Sequence, residues 1–175
     1  MKHLIFISTC FISACGPTPD FETKYGIEVW DKYGLSEEER GHIDVGVSLL
    51  IKEFQKQNFG YMKRFKNHLQ DSTLVMLPEP FDCDAGQNCK KAAGEFNRMN
   101  YQFNVAVLNE SCPVATSAWI HELLHGYLFY KDVSDSNDAD TNHSNPKIWG
   151  ATGIENIVVG HFQNKICEID SQNDN

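Results

Sequence analysis

Apolar residues recur along this 175-residue chain at spacings that separate helices from strands. After Ser36, the residues Ile43, Val47, Leu50, Ile51 and Phe54 fall on one face of a 3.6-residue period, which predicts a helix running to about Gln57. Ser36-Glu37-Glu38-Glu39 opens it with a capping box, in which hydroxyl and carboxylate each satisfy an end amide. Gly41 and Gly46 weaken that helix, and His42 reads as one of its solvated positions. Ser72 to Leu77 reads as a short strand stopped by Pro78 and Pro80. Tyr101, Phe103, Val105 and Val107 alternate with Gln102, Asn104 and Ala106, the pattern of a half-buried strand. That strand, 101–108, is expected at a sheet edge, where an extended peptide can pair with it. Ala118-Trp119-Ile120 to Leu128-Phe129-Tyr130 is apolar almost all round, which predicts a central buried helix capped by Thr116 or Ser117. A last helix, Ile154 to Cys167, turns Ile154, Ile157, Val158, Phe162 and Ile166 inward. Residues 59–70 show no decisive period, and Lys63, Arg64, Lys66 and His68 form a basic cluster of the kind that lines a solvated face. With no internal repeat, the expected fold is a single α+β domain: a central helix, a small β-sheet and flanking helices.

The central helix carries His121-Glu122-Leu123-Leu124-His125. Residues four apart on a helix lie one above the other, so His121 and His125 can aim two nitrogens at one point about 2 Å from each, where zinc fits. Glu122 is rotated about 100° from His121 and reaches the water on the zinc rather than the zinc itself. Zinc lowers the pKa of that water to about 7, and Glu122 would take its proton during attack on a polarised carbonyl. The bland alternative is a buried helix that carries two histidines by chance. Two imidazoles and a carboxylate are costly to bury without a partner, and zinc is the obvious one.

Composition adds a compartment. Lys2, an apolar run from Leu4 to Ile12 and Ser13-Ala14-Cys15-Gly16 have the layout of a signal peptide, too short to span a bilayer. Ile12-Ser13-Ala14-Cys15 resembles the lipobox of bacterial lipoproteins, which implies cleavage before Cys15, a lipid on Cys15 and, with Gly16 next, the outer membrane, facing periplasm or cell exterior. The expected layout is a signal peptide over 1–14, a lipidated N-terminus and tether over 15–30, the domain over 31–170 and a disordered tail over 171–175. The formal charge is −9, and losing Lys2 makes the remainder one unit more negative. An acidic body argues against nucleic acid as a partner. Cys83, Cys89, Cys112 and Cys167 then sit in an oxidising compartment, where an even number suggests two disulfides in one of three pairings. Cys83–Cys89 and Cys112–Cys167 are the favoured pairs. No Cys-x-x-Cys spacing supports a cysteine-based zinc site.

A catalytic zinc needs a third protein ligand. His143 is the first choice, since Ser144-Asn145-Pro146 can turn it back toward the helix. Glu155 is its main rival, and Asp140 and His161 follow. Between the helix and His143, Asp132, Asp135, Asp138 and Asp140 make an acidic loop that lacks the turn glycine of a calcium-binding EF-hand. From Ala93-Gly94-Glu95-Phe96 through His121-Glu122-Leu123-Leu124-His125-Gly126-Tyr127-Leu128-Phe129 to the segment Asp138 to Pro146, the chain resembles the SprT/Spartan-like zinc metallopeptidases over roughly residues 90–150. The resemblance implies a zincin-like domain with His121, His125 and His143 on zinc and Glu122 as the base. One extra residue between His143 and Pro146 departs from that pattern. His143 to Ile148 also resembles the third-ligand segment of the metzincins, but Gly-x-x-His does not follow His125 at their spacing and no methionine occurs after Met99. The expectation is a monomeric, lipid-anchored zinc peptidase acting on a peptide or protein substrate. Its alternatives are a zincin-like binding or structural lipoprotein with a non-catalytic zinc, and a zinc hydrolase of a non-peptide bond. Tyr127 and Tyr130 are candidates for oxyanion stabilisation by proximity to the helix.

Overall fold

The computed structural model describes residues 17–57, 62–82, 91–97, 100–108, 112, 114, 117–131, 143 and 145–167. Cys15, Cys83, Cys89, Asp132, Asp135, Asp138 and Asp140 lie outside them. The architecture is α+β. Strands β1 (Phe21–Glu22), β2 (Glu28–Asp31), β3 (Thr73–Leu77), β7 (Gln102–Ala106) and β6 (Gly94–Asn97) form one sheet in the order β1-β2-β3-β7-β6. β2, β3 and β7 are parallel, and β1 and β6 run antiparallel along the two edges. β4 (Phe81–Asp82) and β5 (Lys91–Ala92) make a separate two-stranded ribbon.

Two expectations about the strands are corrected. The tether expected over 15–30 ends earlier, because β1 and β2 belong to the sheet: Val29 pairs with Leu74, and Ile27 and Val29 are buried in the core. The Asp31 amide donates to the Asp20 carboxylate (2.7 Å), tying the entering chain to the same sheet. Second, residues 101–108 are not an edge. β7 pairs with β3 on one side and β6 on the other, so Phe103 and Val105 are covered and the edge falls to β6.

Helix α1 (Glu37–Lys56) starts as its capping box predicts, with the Ser36 hydroxyl accepting from the Glu39 amide and the Glu39 carboxylate from the Ser36 amide (2.6 Å). Ile43, Val47, Leu50 and Phe54 are buried along it, each contributing about 1.5–3 kcal/mol of transfer free energy. Gly46, unfavourable for the helix by about 1 kcal/mol, is where α1 meets the Trp119 ring of the central helix. A side-chain carbon there would stand 2.5 Å from the Trp119 ring. The polar chain between α1 and β3 folds as α2 (Met62–Gln70). His68 is not on the solvated face expected of it; it is fully buried, against Phe65, Tyr101 and Phe103.

Helix α3 (Ser117–Lys131) occupies the centre, packed against β6, β7, α2 and α5 (Ile154–Phe162). Trp119, Ile120, Leu123, Leu124, Tyr127 and Leu128 are all buried along it. The Trp119 indole N–H donates to the Val114 carbonyl (2.8 Å), which satisfies the one polar atom of that ring. α4 (Pro146–Trp149) is a four-residue turn of helix, and α5 buries Ile154, Val158 and Phe162 before a π-helical turn, Gln163–Cys167, closes the described chain. Among the described residues no helix is long and apolar enough to cross a membrane.

Candidate functional site

His121 and His125 sit one turn apart on α3, with their Nε2 atoms 3.0 Å from each other. His143 completes the triangle: its Nε2 lies 3.1 Å from that of His125 and 3.1 Å from that of His121. Its backbone takes φ of +51°, the left-handed region. Such a conformation costs a non-glycine residue of order 1–2 kcal/mol and persists where the surroundings over-determine it. Among the described residues, His121, His125 and His143 form the one cluster able to hold a metal ion.

The donor set can be tested against a metal. Four ligands at 2.0–2.1 Å in a tetrahedron lie about 3.3 Å from one another, and the three nitrogens are within a few tenths of that. A proton can bridge only one pair of such nitrogens, leaving the third facing lone pairs. A cation among them satisfies all three. The three imidazoles therefore fit a tetrahedral metal with one position left open.

Glu155, the rival ligand, has a different place. Its Oε1 accepts from His121 Nδ1 at 2.7 Å, on the far side of the ring from Nε2. With the proton held on Nδ1, Nε2 is left as a lone pair for a metal. Burial opposes charge on His121, but the hydrogen bond and charge of Glu155, joined by Glu122, outweigh it and raise its pKa. His161, on α5, is exposed and outside the cluster; Asp140 lies outside the described residues.

Glu122 stands beside the triangle, half-buried and over the backbone of β6. A side-chain carbon at Gly94 would fall 2.7 Å from Glu122 Oε1. Desolvation pushes the Glu122 carboxyl up to about 7; His121 lowers it, and Glu95 and Glu155 raise it further. An acid poised there exchanges protons readily near neutrality. The part played by β6 was hidden in the sequence, although Ala93-Gly94-Glu95-Phe96 marked the segment; the glycine is what lets the strand pass so close to the carboxylate. Tyr127 is corrected as an oxyanion candidate: it is 1% exposed and packs its ring on Phe54 and Phe65, inside the core. The Tyr130 side chain lies outside the description.

Cys112 is buried and disulfide-bonded. The side chains of Cys83, Cys89 and Cys167 lie outside the described residues, so neither expected pairing falls within them. Compared with protein-family models, with curated proteins and with solved structures, the chain matches none.

Proposed function

We propose that this chain is a zinc-dependent metallopeptidase, built on an α+β domain and similar to the SprT/Spartan-like peptidases around its central helix. The observation that carries the reading is the convergence of three Nε2 atoms within 3.0–3.1 Å, with Glu122 adjacent in the same helix. Zinc, when bound, supplies Lewis-acid polarisation of a carbonyl and acidification of water. The rest is the work of the chain. Ionised Glu122 accepts a proton from the attacking water and returns it to the amine as the carbon–nitrogen bond breaks, so the carboxylate is regenerated. Glu155 holds the His121 ring in the tautomer that presents Nε2. The main chain of β6, at one end of the sheet order, runs alongside Glu122, which makes this strand the place for an extended peptide to lie. The lipobox-like Ile12 to Cys15 supports a lipid-anchored protein of the cell envelope.

The test is zinc stoichiometry together with Glu122→Gln. Reconstituted wild type should hold close to one zinc per chain, and the variant should keep it while cleavage of a fluorogenic peptide library falls about 10²–10⁴-fold. A wild type that takes up no zinc, or a variant that cleaves at the wild-type rate, would sink the proposal.

A further inference from the structure

Resting on the metal reading above, we propose that Trp149 is the floor of the three-histidine site, a positioning residue that fixes the imidazoles and leaves one face open. The ring centroids of His121, His125 and His143 are 4.6, 4.9 and 5.0 Å apart. The Trp149 ring lies 4.9, 4.7 and 4.8 Å from those of His121, His125 and His143. Four rings at nearly equal spacing make a tetrahedron, so the indole covers one face of the imidazole triangle. Water or substrate would reach a metal held by the three Nε2 atoms from the face that the indole does not cover.

The indole is held there by more than its own contacts. Asn145 caps α4, its side chain accepting from the Lys147 amide (3.1 Å), and Ile148 is fully buried beside Trp149. From α5, the Asn156 amide donates to the Gly150 carbonyl (2.9 Å), just past the end of α4. Asn156 follows Glu155, so α5 braces the floor with one residue and the His121 ring with the one before it. Trp149 meets the imidazoles at interplanar angles of 49°, 36° and 88°, gripping each ring differently rather than stacking on one. An indole has no lone pair to give a metal. What it supplies is bulk that bars water and an electron-rich face that favours nearby positive charge.

The experiment compares wild type with Trp149→Leu and Trp149→Phe. Zinc affinity is read by chelator competition, ligand geometry by the visible spectrum of the cobalt-loaded protein, and folding by circular dichroism. The leucine variant should bind zinc about 10–100-fold more weakly, the usual range for groups that orient ligands. Its cobalt absorption should lose intensity as water enters the uncovered face. Phenylalanine, which keeps an aromatic ring, should restore most of both. Emission gives an independent reading: cobalt should quench a smaller fraction of tryptophan fluorescence in the phenylalanine variant, since the tryptophan nearest the metal is gone. A folded leucine variant with wild-type zinc affinity and cobalt spectrum overturns the role of Trp149. Should the leucine variant not fold, equal fractional quenching in wild type and phenylalanine variant overturns it. Wild type that takes up neither metal removes the metal reading itself, a separate failure.

Discussion

Helix α3 meets histidines on two of its sides, and the two sides treat them oppositely. Toward the site, His121 and His125 are partly exposed, and a carboxylate partner raises the pKa of His121. Toward α2, His68 packs into aromatic rings, and burial pushes its pKa down to about 4 despite a hydrogen bond with the Leu123 backbone. The residue type is the same and each packs at α3, yet the electrostatic fate is opposite. The difference lies in what else each side supplies: Glu122 and Glu155 on one, Phe65, Phe103 and Tyr101 on the other. Carboxylates favour positive charge at the imidazoles, whether proton or metal; hydrocarbon walls expel it. A helix apolar almost all round can thus carry one polar centre if the charged groups that tune it all gather on one side.

The largest expected effect tests the polar side. His143→Ala removes one of three nitrogens and should weaken zinc binding by more than a hundredfold. Glu155→Ala leaves all three and removes only the partner of His121 Nδ1, so its loss should stay at about 10–100-fold. Zinc dissociation constants of the two variants decide the order. The reverse order would make Glu155 the ligand and His143 a bystander.

The next effect belongs to the apolar side. The folded-state pKa of His68 lies below the 6.5 of an exposed imidazole. The unfolded chain therefore binds the extra proton between 6.5 and about 4. Stability from a neutral His68 is fully present above pH 6.5 and is lost as the pH falls through that window. From pH 7 to pH 5 the loss is about 2 kcal/mol. His68→Leu should remove that part of the slope, read as the difference between urea unfolding curves of the two proteins at the two pH values. Equal slopes would mean that His68 is hydrated.

How much of this could be read in the sequence differs between the sides as well. The His121–His125 pair was legible because a four-residue spacing survives any tertiary context, and the Ser36–Glu39 cap because it is local. His143 was reachable through resemblance and a turn signal. Glu155 was visible as a carboxylate near the site, but its hydrogen bond to Nδ1 instead of a metal depends on how α5 docks. Trp149 gave no signal of its own, since its contacts follow from a short helix lying under three rings distant in sequence. β1 and β2 read as tether in the sequence because strands of two and four residues following Pro17 and Pro19 carry too little alternation to register. β6 was missed for the same reason, and with it the edge. His68 sits among lysines and an arginine in the sequence, a setting that says nothing of which residue the helix turns inward.

The smallest expected effects come from one substitution made on both sides of α3. An alanine at Gly126 would set its methyl 2.8 Å from His68 and 2.8 Å from Phe103, both buried rings with nowhere to move. Overpacking of that kind costs about 1–3 kcal/mol, against which alanine gains about 1 kcal/mol of helix propensity. The net expectation is a loss of about 1 kcal/mol in unfolding free energy, with zinc affinity unchanged. At Gly94 the atoms nearest to an alanine methyl all belong to Glu122, a side chain with torsions free to turn aside. The variant's stability should stay within about 0.5 kcal/mol of wild type, in line with substitutions that disturb no packed core. The displaced carboxylate would nevertheless leave the position from which it handles the proton, so peptide cleavage should fall while zinc stays bound. One methyl group would thus register as stability on the side that excludes charge and as turnover on the side that uses it. Gly94→Ala cleaving at the wild-type rate would show that Glu122 acts from some other position than beside β6.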